Sequence, residues 1–246
     1  MEQKAFSIGA RIEHSRDYVD YCQYGDFKDR LPAADYKLST HLKDGRGVYT
    51  FCMCPGGYVV NASSEEGMLC TNGMSLFARD AENSNSAVLV SVHPCDFNCG
   101  DVLDGIKLQR EIETKCYNKA GGYTAPVERV SDFLGVNSNI LSKVTPSIRP
   151  GYEFTDISDI YPEFIRDGLK SGLYELSKKS SIFRDFGAVL TAAETRSSSP
   201  VRILRNEFYE SVSIRGLYPC GEGAGYAGGI MSAAADGLRC AEQILS

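Results

Sequence analysis

The stretch "CGEGAGYAGGIMSAAADG", from Cys220 to Gly237, constrains this chain more than any other. Five of the nine residues from Gly221 to Gly229 are glycine. A regular helix or strand does not carry that many, because each glycine loses more backbone freedom on ordering than any other residue. Before it, "GLYPC" is short and apolar enough for a buried strand end. After it, "IMSAAADGLRCAEQIL" reads as a helix, with Ala233, Ala234, Ala235 and Ala241 small and Ile230, Leu238 and Ile244 for packing.

A strand, a glycine turn and a small-residue helix present bare backbone to a phosphate or dinucleotide. The first helical turn has unpaired N–H groups, and the helix dipole favours partial negative charge there. The same residues also read as a tight turn packed against a neighbouring helix. Glu222 lies inside the cluster. A carboxylate suits the hydroxyls of a sugar or ribityl chain and would repel a phosphate. That, and a position near the end of the chain, point away from the first-turn G-x-G-x-x-G of NAD sites.

The remaining bulk properties narrow the class. A chain of 246 residues can bury a sizeable core. A net charge of −6 and a pI near 5.2, with no basic run, argue against a nucleic-acid partner. The N-terminus has no apolar signal region, and no apolar run approaches a membrane span. Nine cysteines without paired regularity fit free thiols in a reducing compartment, so the expected location is the cytoplasm.

Along the chain, residues 4–12 read as a strand, and Ser15 to Gly25 as a short capped helix. From Tyr36 to Val92, short apolar runs alternate with turn chemistry such as "KDGRG", "SSEEG" and "DAENSNS". Helices are expected within 100–122, ending on a glycine pair, and over 162–180, with Pro162 at its start and lysines in its last turn. Residues 127–156 are poorly patterned and read as loops with a turn or two of helix. Strands return at "GAVLTAAET" and "VRILRN".

Four other segments carry candidate chemistry. In "FCMCPGG", Cys52 and Cys54 could be a redox pair or two small strand residues. Strand alternation puts them on one face, where they do not bridge easily. In "ETRSSSP", Arg196 and the serines could hold an anionic group or form a solvated loop. In "ARIEH", Arg11, Glu13 and His14 lie at a strand end, the histidine reading as a surface residue. "HPCDFNCG" places His93, Cys95, Asp96 and Cys99 together, but no second C-x-x-C completes a zinc set, so no metal is expected.

The terminal motif resembles the C-terminal flavin segment of the FAD-dependent oxidoreductase superfamily that includes glutathione reductase. "RGVYTFCMCPGGYVVNASSEEG", "ETRSSSPVRILRN" and "AFSIGARIEH" resemble segments of a bacterial family of uncharacterised FAD-dependent dehydrogenases, relatives of the HI-0933-like flavoproteins. The resemblance runs over almost the whole chain. It lacks one part: no N-terminal G-x-G-x-x-G unit for the ADP half of FAD is present. The chain therefore resembles the C-terminal half of such a protein, either as an expressed fragment with Met1 as an added start or as a short protein.

The resemblance implies FAD as cofactor, held weakly or not at all by this chain alone, and NAD(P)H as a reductant. It implies that Gly221, Glu222, Gly223 and Gly225 form the turn and that Glu222 accepts from ribityl hydroxyls. Gly228, Gly229 and Ile230 would offer N–H groups to the flavin pyrimidine edge. Pro55, Gly56 and Gly57 would lie against flavin or substrate. Cys54 and Arg196 are the catalytic candidates.

The expected partners are a small-molecule substrate, an N-terminal FAD-binding half and a second copy through exposed apolar surface. The expected fold is α+β. A mixed-sheet, substrate-domain-like region would span 1–205, strand-rich in 1–92 and 186–205 and helical in 93–185. Residues 206–246 would complete a Rossmann-like FAD-binding domain. A non-catalytic module of flavoprotein ancestry and an RNA-modifying flavoprotein are the alternatives.

Overall fold

The computed structural model describes residues 1–97, 100–136 and 144–245. The chain is α+β. Its strands are β1 (Glu2–Gln3), β2 (Phe6–Ser15), β3 (Ser39–His41), β4 (Gly47–Cys54), β5 (Gly57–Asn61), β6 (Thr71–Ser75), β7 (Asn83–Val92), β8 (Ala125–Arg129), β9 (Tyr152–Phe154), β10 (Val189–Glu194) and β11 (Val201–Arg202). Its helices are α1 (Arg16–Tyr24), α2 (Asp104–Lys119), α3 (Val130–Leu134), α4 (Glu163–Lys179) and α5 (Ile230–Leu245).

Seven strands form one mixed sheet in the order β3-β4-β7-β2-β10-β8-β9. β8 and β9 pair parallel, while β3–β4, β4–β7, β2–β10 and β10–β8 are antiparallel. β5–β6 and β1–β11 make separate two-stranded pairs. Residue contacts divide the chain into two units. One comprises Met1–Ser7, Ser91–Arg110 and Arg196–Ser246, and the other Ile8–Val90 and Glu111–Thr195.

In the larger unit the sheet is buried against α4, which turns Ile165, Leu169, Leu173 and Leu176 inward. The helix comes close because Gly168 and Gly172 face valines. A Cβ on Gly172 would lie 2.4 Å from Val48 Cγ1, and one on Gly168 would lie 2.8 Å from Val90 Cγ1. Pro162 sits at the N-cap of α4, and Lys178 and Lys179 occupy its last turn, as the dipole favours. Gly25 ends α1 with φ 56°, and after α2 the chain turns through Gly121 and Gly122 at φ 76° and 86°.

Four sequence expectations change. Among the described residues of 127–156, the expected short helix is present as α3, but most of an inner strand, β8, and an edge strand, β9, stand where loops were expected. "NSNS", read as turn chemistry, is the start of β7, and its four residues are buried. Residues 217–220 form no strand, and "VRILRN" yields only the two-residue β11. Ile230, Leu238 and Ile244 do not pack within the chain: they are 87%, 67% and 51% exposed, and Cys240 is the buried residue of α5.

Candidate functional site

In the smaller unit, the glycine turn is braced on one side and open on the other. Gly221 and Gly225 adopt φ 73° and 87°, which only glycine takes without strain. A Cβ on Gly225 would sit 2.4 Å from the Val201 carbonyl oxygen, so this glycine is explained by the chain's own β11. Ile203 N–H donates to the Ala224 carbonyl at 3.1 Å, and Tyr226 Oη donates to the Ile203 carbonyl at 3.0 Å. Arg205 is clamped by Asp236 at 2.9 and 2.7 Å and lies over the Tyr226 ring. Asp236 Oδ2 also accepts from Gly221 N–H at 2.9 Å. The turn is thus tied to α5 through one carboxylate.

The other glycines have no such explanation. A Cβ on Gly223 or Gly228 would meet nothing within 4 Å, and one on Gly229 would meet only Ser232 Oγ at 3.8 Å. The first turn of α5, beginning at the exposed Ile230, leaves N–H groups without intrahelical acceptors. The Glu222 carboxylate has no hydrogen bond among the described residues. Partial burial pushes its pKa up, against the pull of Lys4. An acceptor beside an open helix start and two uncovered glycines suits the hydroxylated chain and ring edge of a flavin. The residues present therefore fit that group.

Arg196 is exposed. Its neighbouring serines serve the backbone: Ser197 Oγ donates to the Ser7 carbonyl at 2.9 Å, and Ser199 Oγ to the Val201 carbonyl at 2.9 Å.

The larger unit holds a second centre, built on a fully buried arginine. Arg11 on β2 donates through Nη1 to both Glu194 carboxylate oxygens, at 3.0 and 2.8 Å, and through Nε to Asn85 Oδ1 at 2.8 Å. Its Nη2 donates to the Cys52 carbonyl and to Cys54 Sγ, the latter at 3.3 Å. Gly73 closes over it: a Cβ there would lie 2.0 Å from Arg11 Nη2. A bulge between Phe51 and Cys54 breaks the strand alternation, and Cys52 takes φ 42°. Cys54 is half-buried and Cys52 exposed, so neither is the buried core residue that small cysteines in strands usually are. Burial pushes the Cys54 thiol pKa up, and Arg11 opposes it.

Pro55, Gly56 and Gly57 lie next to this centre, and all three are buried. A Cβ on Gly56 would lie 1.8 Å from the Arg79 carbonyl oxygen, and one on Gly57 2.5 Å from that of Met74. The chain's own backbone occupies the space over these glycines.

Glu13, two residues along β2, is also fully buried. It accepts from Ser147 Oγ at 2.6 Å and from Asn83 Nδ2 at 2.9 Å. Burial raises its pKa, and these hydrogen bonds oppose the shift. Asn83 and Ser147 line a cavity of about 720 Å³ that also includes Tyr58, Arg149 and Tyr152. His14 is not a surface residue. It is fully buried, its ring set edge-on to Phe183 at 5.5 Å, and neither ring nitrogen has a hydrogen bond.

The sequence had one signal for this polar interior: two asparagines and two serines in a row, opposite the charged residues of "ARIEH". Of the metal candidates, His93 N–H donates to Asp96 Oδ2 at 2.7 Å in a helix cap, and Cys99 lies outside the described residues. Among the described residues, no three His, Cys, Asp or Glu side chains are grouped to hold a metal ion. No described helix is long and apolar enough to cross a membrane.

The family described as "FAD-dependent protein, C-terminal domain-like" matches residues 5–197. A protein of Clostridium beijerinckii, called an uncharacterized protein, is 48% identical over 252 residues, covering 100% of this chain and 47% of that protein. The chain spans about half the length of this relative.

Proposed function

The chain belongs to the family of FAD-dependent protein C-terminal domain-like sequences, and from that premise we propose that it is the C-terminal part of an FAD-dependent oxidoreductase of the dehydrogenase type, related to the HI-0933-like flavoproteins. The observation that carries this reading is the open side of the glycine turn: Gly223 and Gly228 uncovered, Glu222 without a hydrogen-bonded partner, and a bare helix start at Ile230.

In this reading Glu222 accepts from the ribityl hydroxyls, and the N–H groups of Gly228, Gly229 and Ile230 face the pyrimidine edge. A helix N-terminus there favours negative charge and so the reduced cofactor. The flavin supplies the hydride or electron chemistry, and the chain orients and tunes it. An N-terminal half supplies the ADP-binding unit and covers the apolar face of α5, where Met231 and Leu245 are 80% and 87% exposed. Without that half, the same face drives self-association. The small-molecule substrate is taken by the larger unit, whose cavity beside Glu13 offers Arg149 and two tyrosines.

The test is reconstitution. The chain is mixed with FAD alone and with FAD plus a separately expressed N-terminal half. The expected result is a bound flavin spectrum only in the second mixture, bleached by NADH or NADPH. Absence of bound flavin in both would favour a non-catalytic module of flavoprotein ancestry.

A further inference from the structure

We propose that Cys52 and Cys54 form a dithiol–disulfide couple that exchanges with disulfide substrates, Cys52 attacking and Cys54 resolving. Four observations place these roles. Cys52 is exposed and borders a cavity of about 350 Å³ with Thr50, Phe51, Met53 and Pro55. Cys54 is half-buried and folded back: its thiol donates to the Cys52 carbonyl at 3.3 Å. The bulge holds Cys52 at φ 42°, a left-handed conformation that a side chain rarely adopts, and Arg11 Nη2 bonds the Cys52 carbonyl and the Cys54 sulfur together. Strain of this kind persists where surrounding contacts over-determine it. Asn85, the register partner of Cys54, is fully buried, and its Nδ2 has no acceptor.

The chemistry follows from this arrangement. The Cys52 thiolate attacks one sulfur of a substrate R–S–S–R, forming Cys52–S–S–R and releasing one thiolate, which is protonated. Cys54 then loses its proton and attacks the Cys52 sulfur, releasing the second thiolate. Two cysteine thiols are oxidised to one disulfide, and one substrate disulfide is reduced to two thiols.

The developing charge on Cys54 falls beside Arg11 Nη2, a cationic donor already in place for an anion. Burial, which keeps Cys54 protonated at rest, leaves the first attack to Cys52. This couple operates without flavin.

The experiment uses the whole chain in a series of glutathione redox buffers, with acid quenching, alkylation and peptide mass mapping. The expected wild-type product is an intramolecular Cys52–Cys54 disulfide. No mixed disulfide with glutathione should persist on wild-type Cys52. Cys54→Ser should trap glutathione on Cys52, with a lifetime longer by roughly tenfold or more. Cys52→Ser should leave Cys54 unmodified. The proposal is overturned if wild-type Cys52 retains glutathione and no Cys52–Cys54 disulfide forms, or if Cys54 in Cys52→Ser takes glutathione as fast as wild-type Cys52. The wild-type product, intramolecular disulfide or glutathione adduct on Cys52, decides the matter even where a variant does not fold. Because no flavin is added, failure of cofactor binding leaves the result interpretable.

Discussion

Gly56 and Gly228 sit in two glycine-rich turns of similar appearance in the sequence and do opposite things. At Gly56 the chain closes on itself: a Cβ would collide with the Arg79 carbonyl carbon and oxygen, and φ is +47°. At Gly228 a Cβ would meet nothing within 4 Å. The first glycine lets two stretches of backbone touch, while the second uncovers a helix start. Glycine content alone does not separate these uses; what a side chain would strike does.

Substituting each glycine by alanine breaks the comparison at its strongest point. Gly56→Ala should cost roughly 2–4 kcal/mol, from left-handed strain together with overpacking against backbone. Gly228→Ala should stay within about 0.5 kcal/mol of wild type. Urea unfolding of both variants gives the difference, and equal losses would remove the distinction.

A smaller effect sharpens the account of the closed centre. Burial raises the folded-state pKa of Glu13 above its ordinary 4.5, so the fold binds a proton that the unfolded chain has released. The stability lost to this group is absent below pH 4.5 and grows as pH rises through the folded value. Glu13→Gln should therefore be stabilised relative to wild type progressively above that pH, with no such trend below it. Unfolding midpoints across the acid-to-neutral range test the sign.

Much of the framework was legible in the sequence. The helices α1 and α2 stop at the glycines that follow them, α4 carries Pro162 and its lysines at the expected ends, and α5 follows the glycine turn. β8 was not legible because "APVER" carries a proline and two charged residues, and its burial comes from pairing with β10 on one side and β9 on the other. The Arg11 centre was not legible for a related reason. Asn83 and Asn85 read as turn residues and His14 as a surface residue, and only long-range partners explain the burial of this polar cluster: Arg11 to Glu194 spans 183 positions, and Glu13 to Ser147 spans 134. The bulge between Phe51 and Cys54 has no sequence signature, so the break in strand alternation there was not legible. The glycine turn was legible as a unit, but its division into a packed half at Gly225 and an open half at Gly228 was not.

The most direct measurement of the central claim is the flavin content of Gly228→Val in protein reconstituted with its N-terminal half. If Glu222 to Ile230 is a cofactor surface, the variant should keep the wild-type unfolding midpoint and lose bound flavin. A variant that binds flavin as wild type does would show that the ring rests elsewhere, and the open glycines would have no role in holding it.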